Sequence, residues 1–194
     1  MTVFPILMGE ILKQIQAQKV DLIKAYMSIT QVFFRIWKAV TLPIIVASVL
    51  VCYFSLPDSV AVHHDAAGKP DVFFNKQTLF YWAVGTVIFI NLLMSFFGKS
   101  FTKLLPQLLP KNLLWSETPK QTTHLTDGWA NGLTALLNTF FLLCLLALNK
   151  VNGNENQVST TDFTWIIIVA AVIFMAILFY LPYNLLYSKP TEEG

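Results

Sequence analysis

The chain is predicted to be an all-α integral membrane protein: four transmembrane helices, an N-terminal amphipathic helix and a short extracytoplasmic hairpin-like loop. Three observations predict it. Hydrophobic residues form 55% of the 194, charged residues only 12%, and the mean hydropathy is +0.59; a soluble domain carries about 25% charged residues. The apolar residues gather in four windows, 32–55, 79–97, 129–148 and 163–187, each near the ~20 residues that cross a hydrocarbon core as helix. Lipid offers the backbone no hydrogen-bond partner, so such runs must be helical. Residues 1–31 then form a cytoplasmic or interfacial helix, and 32–194 the transmembrane domain with a polar loop at 56–78.

The first 30 residues do not read as a secretory signal: Glu10 comes early and no small-residue cleavage site follows an apolar core. Ile11, Leu12, Ile15, Leu22, Ile23 and Tyr26 recur at near-helical spacing, with Lys13, Lys19 and Lys24 between them. That pattern fits an amphipathic helix lying on the membrane or running on into the first span. A start at Met27, with little contribution from the preceding segment, is the alternative.

Pro57 is expected to end the first span, and Asn75, Asp127 and Asp162 to cap the second, third and fourth. The third span carries small residues on one face, Gly128, Gly132, Ala135 and Thr139, with Asn131 and Asn138 beside them and Asn91 of the second span as a candidate partner. Such a face serves either as a packing seam or as the wall of a polar pocket. Beyond Lys38 the spans contain no ionisable Asp, Glu, Lys, Arg or His, which argues against a self-contained ion-coupled pump. Between Gly98 and Asp127, paired leucines alternate with lysines while Pro106 and Pro110 interrupt, so short Pro-broken amphipathic turns on the inner leaflet are expected.

Ten of the 13 basic residues fall on one side if the N-terminus is inside, which places both termini in the cytoplasm. The lipid bilayer accounts for this charge; a net +2 gives no ground for a nucleic-acid partner. Cys52 and Cys144 lie within apolar spans near their outer ends, where free thiols or, if the helices touch, a bridge would fit. No metal-type cysteine spacing is present.

The loop concentrates the polar chemistry. Val60 and Val62 alternate with smaller neighbours, Ala67-Gly68 offers a turn, and Val72-Phe73 resumes, a short hairpin by pattern. Leu56-Pro57-Asp58, His63, Gly68, Pro70-Asp71 and Lys76 before the next span resemble the signature of the domain of unknown function 1648 family. His64, Asp65 and Val72 depart from it, at positions where that family commonly has an aromatic residue, Asn and Gly. Pro110-Lys111-Asn112 and Trp115 extend the likeness, which spans residues 41–148. The family includes immunity proteins against Sdp-type secreted toxins. The resemblance implies a bacterial cytoplasmic (inner) membrane location and a non-enzymatic binding, sensing or immunity role, with a protein or peptide partner at the outer loop.

Other readings carry less. His63, His64, Asp65, Asp58 and Asp71 have the chemistry of metal ligands. Adjacent strand residues point to opposite sides, however, and no His-Glu-x-x-His or other hydrolytic signature exists. No metal, cofactor or catalytic residue is therefore expected. A loop shaped by its own polar contacts, and a histidine sensing external pH, are the competing roles. A small-solute permease or an accessory subunit of a membrane complex is the runner-up function, and a metal-dependent enzyme acting through His63 and Asp71 ranks lowest.

Overall fold

The computed structural model describes residues 3–153, 157 and 163–188; before Ile29, side chains are described only for Gln14, Ile15 and Gln18. Helix α1 runs from Val3 to Ser55, 53 residues without a break; between Glu10 and Leu42 no glycine or proline interrupts it. At ~1.5 Å per residue it is about 80 Å long, so the N-terminal segment runs on into the first span, Ile29–Ser55. The amphipathic faces expected at Ile11, Leu12, Leu22, Ile23 and Tyr26 lie outside the described side chains. Strands β1 (Ser59–His64) and β2 (Pro70–Asn75) form an antiparallel hairpin, followed by α2 (Lys76–Leu108), a 3₁₀ turn (Leu114–Ser116), α3 (Pro119–Asn152) and α4 (Thr164–Tyr187).

All four long helices are long and apolar enough to cross a membrane. Helix α3 is the hub: it packs against α1, α2 and α4, whereas α4 packs chiefly on α3. Two apolar clusters hold the bundle. At the hairpin end Ile45, Val49, Cys52 and Leu56 meet Val60, Ala83, Val87 and Leu145. At the opposite end Phe34 joins Trp115, Leu125, Trp129, Leu133 and Leu181. Trp115 and Trp129 donate their indole N–H groups to the Ser188 and Ile177 carbonyls, both at 2.8 Å, which ties α4 to the rest. Buried Thr122, Thr126 and Thr134 each donate to a carbonyl one turn back, so their hydroxyls enter the apolar interior already paired.

Two expectations need correction. Asp127 does not cap α3: that helix begins at Pro119, where a ring that fixes φ and lacks an N–H suits the first turn. Asp127 thus lies two turns inside. The 98–127 segment is not a string of broken turns either, since α2 continues to Leu108 with Pro106 in its last turns. A proline this close to a helix end removes one bond and leaves the rest of the ladder intact. Asn75 does cap α2, accepting from the Gln77 N–H at 2.8 Å. Asp162 lies outside the described residues.

Candidate functional site: the hairpin between the first two spans

The hairpin is anchored at its base. The Leu56 N–H donates to the Cys52 carbonyl at 2.9 Å, extending α1 by one bond before Pro57 turns the chain. Leu56 itself is buried. Asp58 and Lys76, at the two ends of the signature, close the base twice: the Lys76 N–H donates to the Asp58 carbonyl, and the ammonium reaches Asp58 Oδ1, each at 2.9 Å. The Asp58 carboxylate is largely exposed, so the ion pair fixes geometry more than it adds stability.

The turn depends on Asp65. Its Oδ1 accepts from the Ala67 and Lys69 N–H groups, both at 2.8 Å, the side-chain turn that Asn can also make. Asp65 can therefore stand where the resembling family has Asn without loss of this acceptor. Gly68 adopts φ 75°, a left-handed conformation that glycine takes without Cβ strain.

Between base and turn the strands slip out of register and back. Ala61 pairs with Phe73, His63 with Val72 and His64 with Pro70. Val62 is thus an extra residue in β1 and Asp71 an extra residue in β2. Bulges re-aim side chains, and here they bring His63 and Asp71 together, Nδ1–H donating to Oδ1 at 2.6 Å. His64 is directed elsewhere, its Nε2–H donating to the Gln157 carbonyl at 2.9 Å.

The outer edge of β1 is covered from the α3–α4 side. Asn152, at the end of α3, accepts from the Ala61 N–H at 2.7 Å and donates to the Ala61 carbonyl at 3.0 Å. Gln157 donates its amide to the Ser59 carbonyl at 2.8 Å. These two amides act as a substitute third strand, which blunts an edge that would otherwise pair with another chain. Gln157 takes φ 50° to do so, an uncommon conformation for a residue with a Cβ. Val60 and Ala61 are consequently both fully buried. Ser55 adds a further tie, donating to Asn149 Oδ1 at 2.7 Å. Composition and motif reading missed Asn149, Asn152 and Gln157. The available signal was a pair of amides, Asn149 and Asn152, one turn apart where an apolar span ends.

Strand β2 is different. Val72, Phe73 and Phe74 are 43%, 45% and 44% exposed, and its outer edge has no strand partner among the described residues. Phe54, Tyr81 and Trp82 on the adjoining helix ends are also exposed, so the hairpin rises from an aromatic collar.

The remaining candidates lie in the bundle. Gly128 and Gly132 face α1: a Cβ would sit 2.8 Å from Gln31 Cγ and 3.0 Å from the Phe34 ring, respectively. Ala135 is fully buried. Asn91 and Asn138 exchange amide hydrogen bonds of 3.0 and 3.2 Å across α2 and α3. Asn131 instead accepts from Lys38 and donates to Asp127. The small face at Gly128 and Gly132 therefore abuts α1 side chains. Both cysteines are free; Cys52 is buried, whereas Cys144 is exposed on the bundle surface.

Chemically, the hairpin offers an exposed His63–Asp71 pair with no hydroxyl or thiol bonded to the imidazole among the described residues. A nucleophile–base–orienter arrangement needs that third group. No set of three or more His, Cys, Asp or Glu is grouped for a metal among the described residues. Fold and site define a multi-pass membrane protein with a braced hairpin joining its first two spans. Residues 40–87, the end of α1, the hairpin and the start of α2, match the family model described as Domain of unknown function (DUF1648). Comparisons with curated proteins and with solved structures give no match.

Proposed function

We propose that this chain is a non-enzymatic binding, sensing or immunity-type protein of a bacterial cytoplasmic membrane, with the hairpin outside and both termini in the cytoplasm. The hairpin is its recognition element, and its partner is a protein or peptide. The observation that carries this reading is the asymmetry of the two strands. One is braced by amides from the α3–α4 side, and the other presents Val72, Phe73 and Phe74 on an open edge. A rigid scaffold holding one exposed apolar strand suits capture of an extended segment by strand addition. The polar signature residues are engaged with one another, as a shape-determining set would be.

Sidedness is tested by placing cysteine at the exposed Lys69 or Lys111 in a Cys52→Ser, Cys144→Ser background. A membrane-impermeant maleimide applied to intact cells should label the first site and not the second; the reverse pattern refutes the orientation. The immunity form is tested by expression in a strain sensitive to a secreted peptide toxin. Protection that disappears in Phe73→Ser/Phe74→Ser, at unchanged membrane level, supports it. A wild-type chain that gives no protection removes it. Protection surviving exchange of residues 57–75 for a Gly-Ser linker removes the hairpin as the recognising element.

A further inference from the structure

At the end of the bundle away from the hairpin, α1 and α3 bring four polar side chains together. Arg35 donates to Asp127 Oδ2 at 3.1 Å, Asn131 donates to the same oxygen at 3.2 Å, and the Lys38 ammonium donates to Asn131 Oδ1 at 2.9 Å. The result is a chain of cation, carboxylate, amide and cation. Asp127 is its one carboxylate, already shared by Arg35 and Asn131. Lys38 is half-buried and reaches the carboxylate only through a neutral amide; it makes no ion pair among the described residues. The cluster thus carries one positive charge more than it neutralises.

Its depth makes that excess significant. Phe33 and Phe54 mark the aromatic levels of α1, about 32 Å apart along the helix, close to the ~30 Å hydrocarbon thickness. Lys38 starts about 7 Å inside the Phe33 level by the same rise. Side chains on a helix tilt toward its N-terminus, so the Lys38 stem climbs back toward the Phe33 level, where Arg35 is more than half exposed. A cation at this depth needs an anion. The group available there by chemistry is a phosphate, which a guanidinium and an ammonium together bind well.

We propose that Arg35 and Lys38, held against Asp127 and Asn131, form a binding site for a phosphate group, with an anionic phospholipid headgroup as its source. The test uses the full chain in detergent and native mass spectrometry, with phosphatidylglycerol, phosphatidylcholine or inorganic phosphate as separate probes. Wild type should retain phosphatidylglycerol in preference to phosphatidylcholine. Arg35→Met and Lys38→Met should each weaken that retention about fivefold, the scale of one basic residue at an anionic surface. Lys38→Arg should restore it, and Lys103→Met should leave it unchanged. Asp127→Asn separates binding from folding: removing the competing carboxylate should strengthen retention, whereas a purely structural cluster would lose stability with no gain in lipid. Inorganic phosphate that protects the chain equally, through Lys38, assigns the site to a soluble anion instead of a lipid. Equal retention of phosphatidylglycerol by wild type, Arg35→Met and Lys38→Met overturns the proposal.

Discussion

Replacing Asn152 by Leu should loosen the hairpin without unfolding the bundle. Leu matches the side chain in size but strips the Ala61 N–H and carbonyl of the Asn152 amide that pairs with both, at 2.7 and 3.0 Å. Ala61 is fully buried, and each buried polar group left unpaired costs about 1–3 kcal/mol. Two such groups set a range of about 2–6 kcal/mol from the same source. The lower end applies, because the hairpin lies at the ends of two spans and can open to water rather than keep both groups dry. About 2 kcal/mol corresponds to roughly thirtyfold in an opening equilibrium. Amide hydrogen exchange followed by mass spectrometry should therefore show residues 60–62 exchanging roughly thirtyfold faster, with α2 and α3 protection unchanged. Exchange within about threefold of wild type would refute the claim that Asn152 substitutes for a strand.

Two further outcomes follow from the bundle. Asn138→Leu removes the interhelical partner of Asn91, which keeps its bond to the Val87 carbonyl, and should lower the unfolding midpoint in dodecyl sulfate by the equivalent of about 1–2 kcal/mol, near the upper limit for interhelical bonds in membranes. The double variant Asn91→Leu/Asn138→Leu should recover part of that loss, and a strictly additive loss would contradict the pairing. Gly132→Leu must displace the Phe34 ring, 3.0 Å from a Cβ built at that position, and should destabilise by about 1–3 kcal/mol. Gly85→Ala meets nothing within 4 Å and should be neutral or stabilising by up to about 1 kcal/mol in the same unfolding assay.

The spans were legible because bilayer thickness and backbone satisfaction leave so few alternatives for long apolar runs. The hairpin was legible for the same kind of reason: a valine alternation, an Ala67-Gly68 turn and a returning apolar pair admit little else. Helix ends were harder. Asp127 looked like a cap because it precedes an apolar window, yet α3 begins at Pro119. Polar Thr122, Thr123 and Thr126 are accommodated in its first turns by hydrogen bonds to the carbonyls of Thr118, Pro119 and Thr122, one turn back. A hydropathy pattern does not register that satisfaction. The brace on β1 was illegible for a different reason. Asn152 and Ala61 are distant in sequence, and only the folded bundle places an amide opposite a strand edge. The Arg35–Asp127 contact was hidden likewise, Arg35 counting only toward the inside positive charge and Asp127 reading as a helix cap.

The paired slip at Val62 and Asp71 gives the hairpin an unusual tolerance. Because each strand carries one surplus residue, the offsets cancel and the pairing beyond them returns to phase. Losing Val62 alone would put the tip out of step with β2, whereas losing Val62 and Asp71 together would leave both ends aligned, at the cost of the His63–Asp71 contact and of the Val62 packing on the apolar cluster. The base, which must fit the bundle, and the tip, which meets solvent, are thus coupled through a joint that two compensating length changes can cross. Variation in this loop should then be read in pairs of positions, one from each strand.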